Sequence, residues 1–314
     1  MFKKILKLNY NIEVKSITQI EGGWSALAYI VEDFDNRKYL LKVYEKSRAS
    51  TAYLTSKVDT YMPIVDWLNQ KTRLKDRIIH PLKTLSNSFK CEDEENIYLL
   101  STYINGSNLL GKELSECQAK ELASIVAELH SYGKSIPLDT NAIEEGFDMK
   151  FIDKIVVHIE QLDILKLPLK ELLKPFNGAI KQAIIILKEL SQILKESSLN
   201  LCLCHTDIHG GNILQNERGL VLIDWEGLKL APVEADFFEI VRKDWQAIFF
   251  EEYRKKHPSY ELNMQTLLFY QLRRVLEDIW EFVEEIQYDE LTQEEEQSSL
   301  DYLKIECSSL KNYL

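Results

Sequence analysis

The sequence has little of what would place it outside a reducing, aqueous compartment. Its five cysteines, Cys91, Cys117, Cys202, Cys204 and Cys307, are odd in number and scattered, and no C-x-x-C pair occurs. That spacing fits reduced thiols in a cytosolic protein best. No segment stays apolar long enough to span a bilayer. The opening "MFKKILKLNY" carries lysines but no apolar run of signal-peptide length. Positive charge is also short: 38 Lys and Arg stand against 50 Asp and Glu, a formal net charge of −12. This argues against a nucleic-acid backbone as partner. The expectation is a soluble cytoplasmic protein without nucleic-acid or membrane partners, whose negative surface suits cationic ligands. No internal repeat or low-complexity tract appears, and nothing sets an oligomeric state.

What is present divides by character. At 314 residues and 45% hydrophobic, the chain can bury a sizeable core and exceeds the usual single-core size. "NIEVKSITQI", "ALAYIVED" and "KYLLKVY" read as strands, separated by the turn-like "EGGWS" and "DFDNR". A helical stretch, "RASTAYLTSKVDTYMPIVDWLNQK", follows, and Pro63 is expected to end or kink it near Met62. "RIIHPLKTL" and "ENIYLLSTYI" read as two more strands joined by the polar "SNSFKCEDE". After "NGSN" the pattern turns helical. "SECQAKELASIVAELHSYG" carries a stripe at Ala119, Leu122, Ala123, Val126 and Leu129, with Ser115 as N-cap and Gly133 as stop. Further helices are expected around 148–165, 168–197, 234–257, 261–288 and 292–313. Outside the start of the stretch quoted next, "GLVLIDW" is the strand-like piece of this half.

The densest polar stretch is "LCLCHTDIHGGNILQNERGLVLIDWEG", from Leu201 to Gly227. "HTDIHGGNIL" has the form H-x-D-x-x-x-x-N followed by apolar residues, and Asp224 closes an apolar strand further on. Singly, Asp207 and Asn212 are ordinary turn-capping types; the whole string in register is not. It resembles the signature of the aminoglycoside phosphotransferase and choline kinase family, closest to its spectinomycin phosphotransferase branch. The resemblance implies an α+β, two-lobed, protein-kinase-like fold with a small N-terminal antiparallel-sheet lobe and a larger, mainly helical C-terminal lobe. The lobes would cover residues 1–101 and 107–314, with a hinge at 102–106.

Phosphoryl transfer needs an oriented hydroxyl and neutralised phosphate charge. Asp207 is the candidate base. Asn212 and Asp224 offer hard oxygen ligands of the kind Mg²⁺ prefers. Gly210 and Gly211 permit a tight loop. His205 and His209 share an i, i+4 spacing, but the glycines argue against the helix a metal pair would need. His205 is expected to pack beneath the loop and His209 to lie near it. Cys202 and Cys204 alternate with leucines as in a buried strand.

The remaining parts follow from the resemblance. Gly22 and Gly23 would cover the nucleotide phosphates through backbone N–H groups. Lys42, costly inside an apolar strand unless paired, would contact the α- and β-phosphates. The family pairs this lysine with a glutamate on the next helix, and none occurs between Glu45 and Glu92. Asp59 is the best-placed substitute, Asp66 the second; a solvated helix aspartate is the alternative. Thr102 and Ile104 would meet adenine, with Ser101 as gatekeeper, so the donor is ATP or GTP. Asp236 would accept bonds from catalytic-loop amides.

In "LRRVLEDIWEFVEEIQYDELTQEEEQ", Glu277, Asp278, Glu281, Glu284 and Glu285 recur at helical spacing beside Trp280. They form either a solvated face or a wall that accepts a cationic substrate, with Trp280 offering its ring. The expected activity is transfer of the γ-phosphate to a hydroxyl of an aminoglycoside or aminocyclitol such as spectinomycin. The alternatives are a housekeeping kinase of choline or a sugar-like metabolite, and a nucleotide-binding pseudokinase. A protein kinase is disfavoured, since "LAPVEAD" does not close an A-P-E segment.

Overall fold

The computed structural model describes residues 2–20 and 26–314. In chain order the elements begin α1 (Phe2–Tyr10), β1 (Val14–Ile20), β2 (Leu27–Asp33), β3 (Lys38–Glu45), α2 (Thr51–Ser56) and α3 (Val58–Lys71). They continue β4 (Lys90–Glu92), β5 (Asn96–Thr102), β6 (Ser107–Asn108), α4 (Glu116–Leu129), α5 (Lys150–Glu160), α6 (Leu167–Leu173) and α7 (Asn177–Glu196). Then come β7 (Cys202–Cys204), β8 (Ile213–Asn216), β9 (Gly219–Leu222), β10 (Lys229–Ala231), α8 (Glu234–Phe237), α9 (Gln246–Arg254), α10 (Met264–Tyr288) and α11 (Gln293–Ser309). An N-terminal antiparallel sheet followed by a larger helical part is the α+β arrangement the sequence predicts.

The chain forms two compact units. The first comprises Met1–Ser47, Thr51–Glu144 and Leu201–Tyr260. The second comprises Arg48–Ser50, Glu145–Asn200 and Glu261–Leu314. The hinge expected at 102–106 therefore falls inside the first unit.

In the first unit, β1 to β5 make an antiparallel sheet of order β1-β2-β3-β5-β4. Strand alternation sorts β3 into two faces. Leu41 and Val43 stand opposite Leu100 and Tyr98 and share their core with Leu6, Val14 and Val31. Lys42 and Tyr44 belong to the opposite face. Leu6 reaches that core from α1, a helix the sequence reading did not anticipate. The rest of the unit holds the three-stranded sheet β6-β8-β9 and the antiparallel pair β7–β10. The expected N-cap Ser115 opens α4, and Gln118 completes a capping box with it.

Two local expectations fail for physical reasons. "RIIHPLKTL" is not a strand; it makes only isolated bridges, Ile78 with Leu222 and Pro81 with Ser101. Pro81 has no N–H to donate to a ladder. The place beside β5 goes instead to Lys90–Glu92, inside the stretch read as a polar connection. Asp93 makes that possible: its carboxylate accepts the Glu95 and Asn96 amides and turns the chain. Pro63 also neither ends nor breaks its helix. The interruption falls at Lys57, and α3 runs through Pro63 while burying Tyr61, Met62, Ile64, Val65 and Leu68. Burial of that face outweighs one lost backbone bond.

In the second unit, α10 packs against α5, α7 and α11. Its apolar stripe, including Leu272, Leu276, Ile279, Trp280, Val283 and Ile286, is buried.

Candidate active site

The site begins at β7, whose side chains Cys202, Leu203 and Cys204 are all buried. The chain then enters the loop from His205 to Asn212. His205 is fully buried. Its Nε2 lies 2.8 Å from the Ile223 carbonyl, its Nδ1 accepts the Asp207 N–H at 3.3 Å, and its ring meets Trp225 edge-on. It therefore lies beneath the loop and ties it to the strand end that carries Asp224.

Asp236 supports the same loop. Its Oδ2 accepts the His205 N–H at 3.0 Å and its Oδ1 accepts the Thr206 N–H. Behind it, His130 Nε2 lies 2.9 Å from Asp236 Oδ2, and His130 Nδ1 lies 2.9 Å from the Tyr253 hydroxyl. The sequence reading missed His130 and Tyr253, whose only signal was a histidine at the end of the α4 stripe. His130, Cys202 and Cys204 sit close enough together to suggest a metal site. Both imidazole nitrogens already have partners, so the cluster acts as a buried buttress.

Asp207 is partly exposed. Asn212 Nδ2 donates to its backbone oxygen at 3.0 Å and to its Oδ2 at 2.7 Å. That bond directs the Asn212 amide nitrogen to Asp207 and keeps its oxygen for another partner. His209 closes the turn by accepting the Gly211 N–H at Nδ1, with Nε2 at 3.6 Å from Asp207 Oδ2. Gly210 is required by contact: a Cβ there would collide with the Leu109 carbonyl. Leu109 donates its own N–H to the Gly210 oxygen at 2.9 Å.

The second half of the site follows β9. Asp224 has φ +64, in the left-handed region that non-glycine residues avoid. Thr206 has φ +70, and its hydroxyl donates to the Gly227 carbonyl at 2.8 Å, joining the two loops. The Asp224 carboxylate lies 2.7 Å from Lys42 Nζ, and Glu226 Oε1 lies 3.1 Å from the same nitrogen. Tyr44 donates its hydroxyl to Glu226. Burial opposes the Lys42 charge, but Asp224 and Glu226 outweigh it and hold the ammonium well above the usual lysine pKa. Burial raises the Glu226 pKa; Lys42 lowers it and Asp224 raises it, and the net direction is up.

The other expected residues are placed as follows. Asp59 does not meet Lys42; its carboxylate lies 3.5 Å from Lys90 and more than half of its side chain is exposed. Asp66 accepts from Gln70 instead. Both aspartates stand on other faces of α3 than buried Tyr61. The second carboxylate at Lys42 is Glu226, which the sequence reading passed over although it stands two residues after Asp224. Thr102 spends its amide N–H on the His80 carbonyl at 3.0 Å, and Ser101 bridges Pro81. Ile104 follows the end of β5. Gly22 and Gly23 lie outside the described residues.

In the second unit the acidic stripe of α10 is met by basic side chains. Arg273 pairs with Glu277 at 2.8 Å and Glu145 at 2.9 Å, Arg274 with Asp278 at 2.9 Å, and Lys154 with Glu284 at 2.8 Å. Arg48 holds Glu285 at 2.8 Å. Trp280 is buried against His158, with Lys154 Nζ 5.2 Å from its ring centre. Its face is thus already occupied by a lysine. Glu281 is exposed.

Residues 16–270 match the phosphotransferase enzyme family. The chain belongs to that family. The phosphotransferase also matches solved structures across nearly its full length. A spectinomycin phosphotransferase in complex with ADP and spectinomycin is 20% identical, with a TM-score of 0.74, over 99% of this chain and 97% of that one. A microcompartment-associated aminopropanol kinase is 12% identical, with a TM-score of 0.66, over 99% and 96%. An amicoumacin kinase in complex with AMP-PNP, Ca²⁺ and Ami is 12% identical, with a TM-score of 0.63, over 98% and 92%. No curated protein matches in sequence. At these identities the structures establish the kinase-like fold. Among the described residues no helix is long and apolar enough to cross a membrane.

Proposed function

We propose that this phosphotransferase moves the γ-phosphate of ATP or GTP to a hydroxyl of a small, cationic, hydroxylated molecule, with aminocyclitols and aminoglycosides as the leading class. The observation that carries this reading is the Asn212–Asp207 hydrogen bond. It orients the base, and it leaves the Asn212 oxygen free to act with Asp224 as a hard donor. Those two residues suit Mg²⁺. When bound there, Mg²⁺ would neutralise phosphate charge.

Asp207 receives the proton of the acceptor hydroxyl as its oxygen bonds to the γ-phosphorus. The bond from the γ-phosphorus to the β–γ bridging oxygen breaks, and the nucleoside diphosphate leaves. Lys42 holds the α- and β-phosphates, and the Thr102–Ile104 backbone holds the base. Gly22 and Gly23 belong to the turn expected over the phosphates. Asp236 and His205 keep the loop in place.

A coupled assay with ATP and with GTP tests the reading against spectinomycin, several aminoglycosides, choline, small amino alcohols and sugars. Turnover with one cationic acceptor that disappears in Asp207→Ala is the expected result. Transfer to none of them, with nucleotide still bound, would favour a nucleotide-binding role instead.

A further inference from the structure

The family's usual glutamate on the helix after the Lys42 strand has no counterpart here. The helices in that position, α2 and α3, carry two acidic residues, Asp59 and Asp66. Asp59 is turned to Lys90, and Asp66 accepts from Gln70 with His80 and Lys83 at 3.8 Å. On the buried face of α3 stands Tyr61, 1% exposed, whose hydroxyl has no hydrogen-bond partner among the described residues. Burial first, then Glu226, raises the pKa of that phenol. So α3 brings a phenol, and no carboxylate, to the neighbourhood of Lys42.

Lys42 nonetheless has two carboxylates, and they are not equivalent. Asp224 belongs to the pair of oxygen donors suited to Mg²⁺, and an oxygen committed to a cation no longer serves a lysine. Glu226 is the more buried of the two. It is also held by a bond of its own, from Tyr44, which sits two residues from Lys42 on the same face of β3. A buried ammonium that lost its only partner would be costly to keep.

We infer that Glu226 is the positioning residue for Lys42: it does from the metal-side loop what a helix glutamate does in related kinases. Tyr44 fixes the Glu226 carboxylate. Asp224 is then at liberty to turn to the cation while Lys42 stays aligned for the phosphates. The inference rests on the proposed nucleotide site.

The test is a double-mutant cycle on affinity for a fluorescent ADP analogue with saturating Mg²⁺. Glu226→Gln is expected to weaken binding about tenfold, the scale of one bond to a charged group. In a Lys42→Met background the same change should add nothing, because Glu226 acts through Lys42. Tyr44→Phe keeps the charge and loosens its anchor. It should weaken binding about threefold, again only when Lys42 is present, and it serves if Glu226→Gln does not fold. The Mg²⁺ concentration for half-maximal activity should match wild type. Equal losses with and without Lys42, or a raised Mg²⁺ requirement, would make Glu226 a metal ligand and overturn the inference. If Lys42→Met weakens binding while Glu226→Gln and Tyr44→Phe do not, this inference alone fails. If Lys42→Met leaves binding unchanged, the proposed nucleotide site itself fails.

Discussion

Lys42 in the first compact unit and Arg273 in the second each stand between two carboxylates, and the two arrangements differ in kind. Arg273 holds Glu145 with Nη1 and Glu277 with Nε. Two separate donors of a rigid fork serve two acceptors, and one of the pairs is an i, i+4 step on a regular helix. Lys42 offers a single nitrogen to Asp224 and Glu226, both more than 180 positions away in sequence. Asp224 reaches it only with a left-handed backbone. In the Arg273 arrangement each carboxylate has its own donor, one pair being local and the other 128 positions apart. In the Lys42 arrangement, one ammonium is shared by two carboxylates that both come from far along the chain, one of them on a residue in the left-handed region.

Removing Asp207, the candidate base of the same unit, sharpens the contrast most. Asp207→Ala should lower kcat by about 10²–10⁴-fold while nucleotide affinity stays near wild type, read from steady-state kinetics and nucleotide titration. Asp224→Ala should come next. It should reduce turnover and move the Mg²⁺ titration to higher concentration, while thermal stability changes little because Glu226 still pairs Lys42. Overlapping Mg²⁺ curves would remove Asp224 from metal binding.

Arg273→Leu should do the reverse. Stranding Glu145 and Glu277 costs about 3 kcal/mol of stability, visible as a fall in the urea midpoint. The folded fraction should keep its nucleotide affinity. A loss of affinity without a loss of stability would erase the distinction between the two clusters.

The smallest effect concerns pH. Burial pushes Asp278 up to about 7, against the pull of Arg274. A carboxyl raised in the folded state is most favourable while protonated, so its contribution falls as pH rises from about 4 to about 7. Comparing wild type with Asp278→Asn by urea unfolding should show a difference that changes progressively across that window, by at most about 1.4 kcal/mol per pH unit. A constant difference would mean that Asp278 stays ionised throughout.

Local patterns were legible where one element settles its own conformation. The strand alternation of "KYLLKVY", the Ser115 cap and the spacing of Asp207, Asn212 and Asp224 all lie within short stretches, so composition and period determine them. The expected path of "RIIHPLKTL" failed because a single proline weighed more than an apolar run. The strand at Lys90–Glu92 was hidden in polar residues because the Asp93 turn and its partner β5 make it.

By itself the sequence determined an α+β chain that opens on strands and turns helical, and the string of residues that marks a phosphotransferase. Only the tertiary structure decided which carboxylate stands beside Lys42, that His130 supports Asp236, and that arginines and lysines already meet most of the acidic stripe of α10. The reason is that pairing of charges depends on distance in space. Glu226 and Lys42 are 184 positions apart in the chain and 3.1 Å apart in the fold. No periodicity along the sequence records that distance, and Coulomb attraction follows separation in space, not along the chain.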